Sequence, residues 1–248
     1  MRLPGDVTIV IAAKDEEATI GDVVCGCRPY GDEILVVAHC RCHDHTVALA
    51  RAAGARVIVD RGRGKGDAMR CAIGEIKTAV TVFIDADGSH DPTDIPRLVQ
   101  PIIDDQADHV GGSRLTGGSS ELHGGFDEFF RLAGSSLITA CINWRFGVRL
   151  SDSQNGFRAI RTDVLRELGL TSDGTTIEQE MIMRSLGMRF RVTEVPSHEH
   201  KRIAGVSHIN VRRAALRYVF NLLQHLAFTR HPVGTAAAGA ERRIPAHN

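Results

Sequence analysis

Residues 80–96 read VTVFIDADGSHDPTDIP, an apolar β-rich run that delivers two carboxylates, Asp85 and Asp87, where the run stops. On a continuing strand, the i and i+2 spacing puts both side chains on one face. In an open α/β sheet, ligands bind beyond the carboxyl ends of the strands. Two hard oxygen donors there suit Mg2+ or Mn2+ and leave coordination positions for phosphate oxygens and water. The same residues also read as a plain strand-to-helix turn, with Asp94 capping the helix that follows. The surrounding sequence decides between the two.

Outward from this segment the first half alternates strand and helix. Val7–Ala13 is a continuous apolar strand of the kind buried on both faces. A helical stretch over Glu16–Cys27, a strand at Glu33–Val37, a helix that Asp44 can cap and that runs to about Ala53, and a strand at Arg56–Val59 follow. Gly66–Lys77 reads as a helix, Ile95–Ile103 as another and Ala107–Gly112 as a weaker strand. This rhythm predicts an α/β fold with a mostly parallel sheet flanked by helices. After Arg114 the texture changes to a Gly/Ser-rich loop at Leu115–Gly125, then a helix over Asp127–Phe146 and a strand at Gly156–Arg161. Glu178–Gly187 reads as a helix, Phe190–Val195 as a strand and Asn210–Thr229 as an amphipathic helix. No repeat or linker is visible, so residues 1–231 read as one domain and 232–248, rich in Ala, Gly and Pro, as a disordered tail.

Composition narrows the classes. The 248 residues suffice for one sizeable α/β core, and the 43% hydrophobic and 24% charged fractions are those of a globular protein. Zero formal net charge gives no global field toward nucleic acid. No run approaches the roughly 20 apolar residues that span a bilayer. Six cysteines without a secretory signal point to reduced thiols and a cytoplasmic location. GRGKG (62–66) falls between the third strand and its helix, where backbone N–H groups can meet phosphate oxygens. It lacks the P-loop spacing, and no GxGxxG follows the first strand, so a dinucleotide redox cofactor is not expected.

Eight pieces stand in one order: VIAAKDEEATI, GKGDAM, FIDADGSHDPTDIP, GGSR, RLAGSS, DSQNGFRAIR, EQE and EVPSHEHKRIAGVSH. Together they resemble GT-A fold glycosyltransferases of family 2, in particular the polyprenyl-phosphate (dolichol-phosphate) mannosyltransferase branch. The resemblance runs from residue 10 to about 208. It implies a single-domain GT-A fold with a donor half to about residue 114 and an acceptor half beyond. It also implies sugar transfer from a nucleotide diphosphate with inversion. Asp85 and Asp87 would hold Mg2+ or Mn2+; Ala12, Asp15, Glu16 and Asp44 would lie near the nucleoside and Lys65 near the donor phosphates. Arg114, Arg131, Ser135, Lys201 and Arg202 match positions that would bind an acceptor phosphate, Arg202 with a catalytic part. An arginine fork suits a lipid phosphomonoester, which is already anionic and needs no strong base. Glu178 and Glu180 fall where family members carry a base for hydroxyl acceptors; i and i+2 on a helix do not share a face, and Glu180 is favoured. Asp152 and Arg158 match the motif with a role that could be loop packing.

The pattern breaks after the second strand. Where the family places an acidic segment, this chain has AHCRCHDHT (38–46), in which Asp44 and Thr46 survive. Ser89 replaces a glutamine common in the mannosyltransferases, so neither the base nor GDP-mannose is fixed. The cysteines and histidines of 39–45, with Cys25 and Cys27, invite a zinc reading; a strand of roughly 20 Å separates the two groups, which argues against one joint site. Arg212, Arg213 and Arg217 ahead of an apolar stretch in the last helix fit either a sheet-covering helix or a peripheral membrane contact. Three functions stay open: transfer to polyprenyl phosphate, the same donor chemistry onto a soluble sugar or metabolite, and a zinc- or nucleotide-binding module on a decayed scaffold.

Overall fold

The computed structural model describes residues 6–120, 126–201 and 218–224, with backbone alone for 126–132. Seven strands are β1 (Val7–Ala13), β2 (Glu33–Ala38), β3 (Arg56–Val59), β4 (Val80–Asp85), β5 (His109–Ser113), β6 (Arg158–Arg161) and β7 (Val192–Pro196). They form one sheet in the order β3-β2-β1-β4-β6-β5-β7. All neighbours are parallel except β6, which runs antiparallel to both β4 and β5. The start of β6 therefore lies beside the end of β4, with Arg158 opposite Phe83.

Alternation along the strands builds two cores. Ile9, Ile11, Val36, Val82 and Ile84 point to one face, under α1 (Ile20–Cys27), α2 (Thr46–Ala52) and α4 (Ile95–Ile103). Val10, Leu35, Val37 and Phe83 point to the other, under α3 (Lys65–Ile73), α7 (Thr162–Glu167) and α8 (Ile177–Gly187). Burial on both faces is why β1 and β2 read as unbroken apolar runs. In α4, Ile95, Leu98, Val99 and Ile102 recur at helical spacing and are all buried, each contributing roughly 1.5–3 kcal/mol by leaving water. Between β5 and β6 the chain makes a short α5 (Arg114–Gly117) and the long α6 (Phe126–Phe146). A third core joins Ile142 of α6, Ile182 and Met183 of α8, and Leu222.

The expected mostly parallel sheet with flanking helices is present, with local corrections. The first helix starts at Ile20, because Asp15 has φ +54° and Thr19 Oγ1 bonds Ala86 O across the loop. Asp94 does not cap α4: its carboxylate pairs with Arg97, while Asp91 caps the preceding 3-10 turn by accepting from Thr93 N. Helix α2 begins at Thr46, whose amide donates to Asp44 Oδ1 at 3.0 Å, while His45 is the residue at the cap position. Of the expected final helix, 218–224 is described and helical; Arg212, Arg213, Arg217, the 121–125 part of the glycine-rich loop and the tail lie outside the described residues.

Candidate active site

Strand β4 ends on Asp85, in register with Ala12 at the same edge of β1. Lys65, the first residue of α3, places its Nζ 2.5 Å from Asp85 Oδ1 and 2.8 Å from Glu178 Oε1. Glu178, in the first turn of α8, has a side chain only 5% exposed, and its Oε2 has no hydrogen-bond partner among the described residues. Gly156 lies against this pair: a Cβ there would sit 3.0 Å from both Asp85 Oδ2 and Lys65 Nζ. The fully buried Arg158 donates to the carbonyls of Glu178 and Asn155, fixing the start of α8 beside β4. Burial alone would raise the Asp85 pKa, but the Lys65 ammonium holds the carboxyl far below its ordinary range. For Lys65, burial works against the charge and the two carboxylates outweigh it, so the ammonium is held charged. His90 carried no role in the sequence reading, yet it is buried with Nε2 3.8 Å from Asp85 Oδ2 and its ring against Phe157. Its presence in the same strand-to-turn segment was the available signal.

Asp87 is buried and accepts from Ser89 N at 3.0 Å, so a tight turn fixes its carboxylate two residues beyond Asp85. The segment after β7 returns over this turn: His200 N donates to Ser89 O, and His90 bridges Glu199. That return carries the exposed Lys201 to the tip of β4; Arg202 follows outside the described residues. Arg114 joins the same region from the end of β5. Its guanidinium grips Asp152 through Nε at 2.6 Å and Nη2 at 3.0 Å, and reaches Glu199 through Nη1 at 3.4 Å. Part of its donor set is thus committed within the protein. Ser135 is half-buried on α6, and the side chain of Arg131 is outside the described residues.

The nucleoside-side residues form a laced rim. Asp15 Oδ1 accepts from His43 N at 2.7 Å, Glu16 N donates to Thr46 Oγ1 and Glu17 N to Asp44 Oδ2. Burial alone would raise the Asp44 pKa; hydrogen bonds from Thr46 and from the Glu17 amide outweigh it and bring the value down to about 2. A lowered acid adds stability above its unfolded value, here 3.8, and that contribution vanishes as pH falls through the folded value. Asp44→Ala is therefore expected to lose about 1 kcal/mol near neutral pH, the scale of a lost helix cap, and nothing below pH ~2. Urea unfolding at a series of pH values checks this; a deficit that persists in strong acid contradicts it.

Two sequence expectations change here. In GRGKG, the amide of Gly62 donates to Asp60 and that of Arg63 to the buried Asp67, which also accepts from the preceding Arg61, so these two of its N–H groups are already engaged rather than turned to phosphate. Glu180, favoured as the base, is fully buried away from Lys65: it accepts from Thr171 N, Thr171 Oγ1 and Ser172 N and pairs with Arg184. Glu178 is the glutamate that reaches the Asp85 cluster. For metal-ligating groups, His39, Cys40 and Asp60 lie together, as do Asp15, Cys42 and Asp44, each set within 4.8 Å. Hydrogen bonds account for both: Asp60 Oδ1 accepts from Cys40 N and Gly62 N, His39 Nδ1 from Arg41 N, and Asp44 from Thr46 and Cys42. Cys25 and Cys27 join neither, in keeping with the strand that separates them, and all six cysteines are free thiols.

Residues 8–169 match the model of glycosyl transferase family 2. The chain belongs to that family. Among curated relatives, glycosyltransferase AglJ of Haloferax volcanii is 30% identical over 206 residues, 83% of this chain and 66% of its own length. The dolichyl-phosphate hexose transferase of the same organism is 27% identical over 192 residues, 77% of this chain and 81% of its own. The chain thus spans just under two thirds of the first relative. The fold matches glucosyl-3-phosphoglycerate synthase of Mycobacterium tuberculosis, solved with Mn2+, UDP and phosphoglyceric acid, at a TM-score of 0.71 and 21% identity over 90% of this chain and 79% of that one. The same synthase has been solved with Mg2+ and UDP. The sheet described above is therefore a GT-A fold.

A family 2 transferase with this strand tip offers a divalent ion the right chemistry. Asp85 and Asp87 would supply hard oxygens to it, and Glu178 Oε2, without a hydrogen-bond partner among the described residues, adds an acceptor beside them. Three carboxylates share the region with two cations, Lys65 and Arg158.

Proposed function

We propose that this protein transfers a hexose from a nucleotide diphosphate sugar (GDP-mannose or a UDP-sugar) to polyprenyl phosphate, with inversion, and uses Mg2+ or Mn2+. The observation that carries this reading is the Lys65–Asp85–Glu178 cluster on the β4 tip, two residues before Asp87 and in register with Ala12. Asp85 and Asp87 would hold the ion, which when bound supplies positive charge to the departing nucleoside diphosphate. Lys65 adds charge to the same phosphates, and the rim of Asp15, Glu16 and Asp44 positions the nucleoside. An acceptor phosphate oxygen forms its bond to the anomeric carbon as the bond from that carbon to the donor diphosphate breaks on the opposite face. The acceptor is already anionic, so no proton has to be removed, which fits the absorption of Glu180 into loop packing. Arg114, Arg131, Lys201 and Arg202, with Ser135, would hold the acceptor phosphate.

The outer face of α6 supports a lipid-borne acceptor. Trp144 is 84% exposed and Leu137 66%, one face of a helix whose other side carries Ile142 into the core. Phe220 and Leu223 are likewise outward, beside the packed Leu222. Exposed Trp, Leu and Phe with the exposed Arg149 near the end of α6 suit peripheral contact with an anionic membrane from the cytoplasmic side. Among the described residues no helix is long and apolar enough to cross a membrane.

The test is a donor screen of GDP-, UDP- and other sugar nucleotides with Mn2+ or Mg2+, against polyprenyl phosphate and against phosphorylated small acceptors. The expected product partitions into organic solvent. A product found only in water assigns the second reading, a soluble acceptor, and no turnover with any donor removes both.

A further inference from the structure

Lys65 is bound to both carboxylates of the strand-tip cluster and is the cation nearest the donor phosphates in the reading above. These tasks compete for one ammonium. Its Nζ is 2.5 Å from Asp85 and 2.8 Å from Glu178, and the pair is pressed against Gly156, whose missing Cβ makes the room. A divalent ion on Asp85 would meet a positive charge already seated there, in partly buried surroundings where like charges repel strongly. Glu178 offers a second anchor: its carboxylate is buried, its Oε2 is unpartnered among the described residues, and its backbone is fixed by Arg158.

We propose that Lys65 is a resident counter-cation of Asp85 which the divalent ion must displace, and that a nucleoside diphosphate assists by giving the ammonium new phosphate oxygens while Glu178 serves as its pivot. This rests on the reading of Asp85 and Asp87 as the metal-holding pair. It makes metal and nucleotide binding mutually reinforcing, by linkage, with a coupling of the size usual between two sites. It also assigns Glu178 a positioning role, acting through Lys65.

The experiment is Mn2+ binding to the whole chain, followed by the electron paramagnetic resonance signal of free Mn2+, for wild type, K65M, K65Q and D87N. Without nucleotide, K65M and K65Q are expected to bind Mn2+ about tenfold more tightly than wild type. Metal-free UDP and GDP, in the presence of EDTA, should bind K65M about tenfold more weakly. After correction for chelation by free nucleotide, UDP should strengthen Mn2+ binding more in wild type than in K65M. A merely structural lysine would not raise metal affinity when removed. Unchanged or weaker Mn2+ binding in both lysine variants overturns the proposal. If D87N loses Mn2+ binding in that case, the metal assignment stands and only the counter-cation fails; if D87N binds Mn2+ as wild type does, the metal reading itself falls, and the proposal with it.

Discussion

Asp87→Asn is expected to lower turnover by about 10³-fold, the cost of removing a group aimed at charge that develops in the transition state. The substitution is chosen because Asn keeps an oxygen that can accept from Ser89 N, so the turn after β4 survives. The melting temperature should move by only a few degrees, since one charge and no packing volume is lost. Asp91→Asn is the matched comparison. Its carboxylate caps a 3-10 turn a few residues along and should leave turnover unaffected. Steady-state rates with GDP- and UDP-sugars in Mn2+ and Mg2+ check both. Near-normal turnover in the Asp87 variant would remove the metal role from the strand tip.

The second large effect is on stability, from Gly66→Ala. A Cβ at Gly66 would lie 2.3 Å from Ser172 O and 2.9 Å from the Asp173 carbonyl carbon, and these are backbone atoms that cannot rotate away. The loop that Glu180 holds through Thr171 and Ser172 and the start of α3 would have to separate. Overpacking of this kind costs about 3 kcal/mol, or a fall of roughly 10 °C in melting temperature for a chain of this size. Because Lys65 is the preceding residue, affinity for UDP or GDP should fall at least about tenfold alongside. Gly21→Ala, with nothing within 4 Å of the added carbon, should be neutral or slightly stabilising. Calorimetry of the two alanine variants separates the outcomes; equal melting temperatures would show that the loop yields freely.

Much of the donor half was legible because its rules are local. Apolar runs bounded by turn residues placed β1 and β3 at their observed limits, and helical spacing did the same for α4. The direction of β6 was not legible, since the side chains of FRAIR alternate identically whichever way the strand runs. Helices α5 and α7, of four and six residues, are too short to display a period. At the site, Asp85, Asp87 and Lys65 came from motif and chemistry. The choice between Glu178 and Glu180 did not, because their spacing shows that they part company but not which one faces β4. The rotation of α8, set by Arg158 and by the hydrogen bonds of Thr171 and Ser172, decides it. The amides of Gly62 and Arg63 read as open to phosphate because a turn's N–H groups do not announce their partners in sequence; in the fold they bond Asp60 and Asp67.

The reversed course of β6 has a bearing on how such enzymes change what they glycosylate. Everything from Arg114 to Phe157 departs from β5 and comes back on β6, and those two strands are hydrogen-bonded neighbours, Val110 opposite Ala159. The excursion therefore leaves and re-enters through a single doorway in the sheet. Swapping it for the equivalent stretch of a cousin, with Gly156 and Phe157 kept where they meet Asp85, Lys65 and His90, leaves β1 through β4 as they are, so on the proposed reading recipient preference can drift while nucleotide handling stays put.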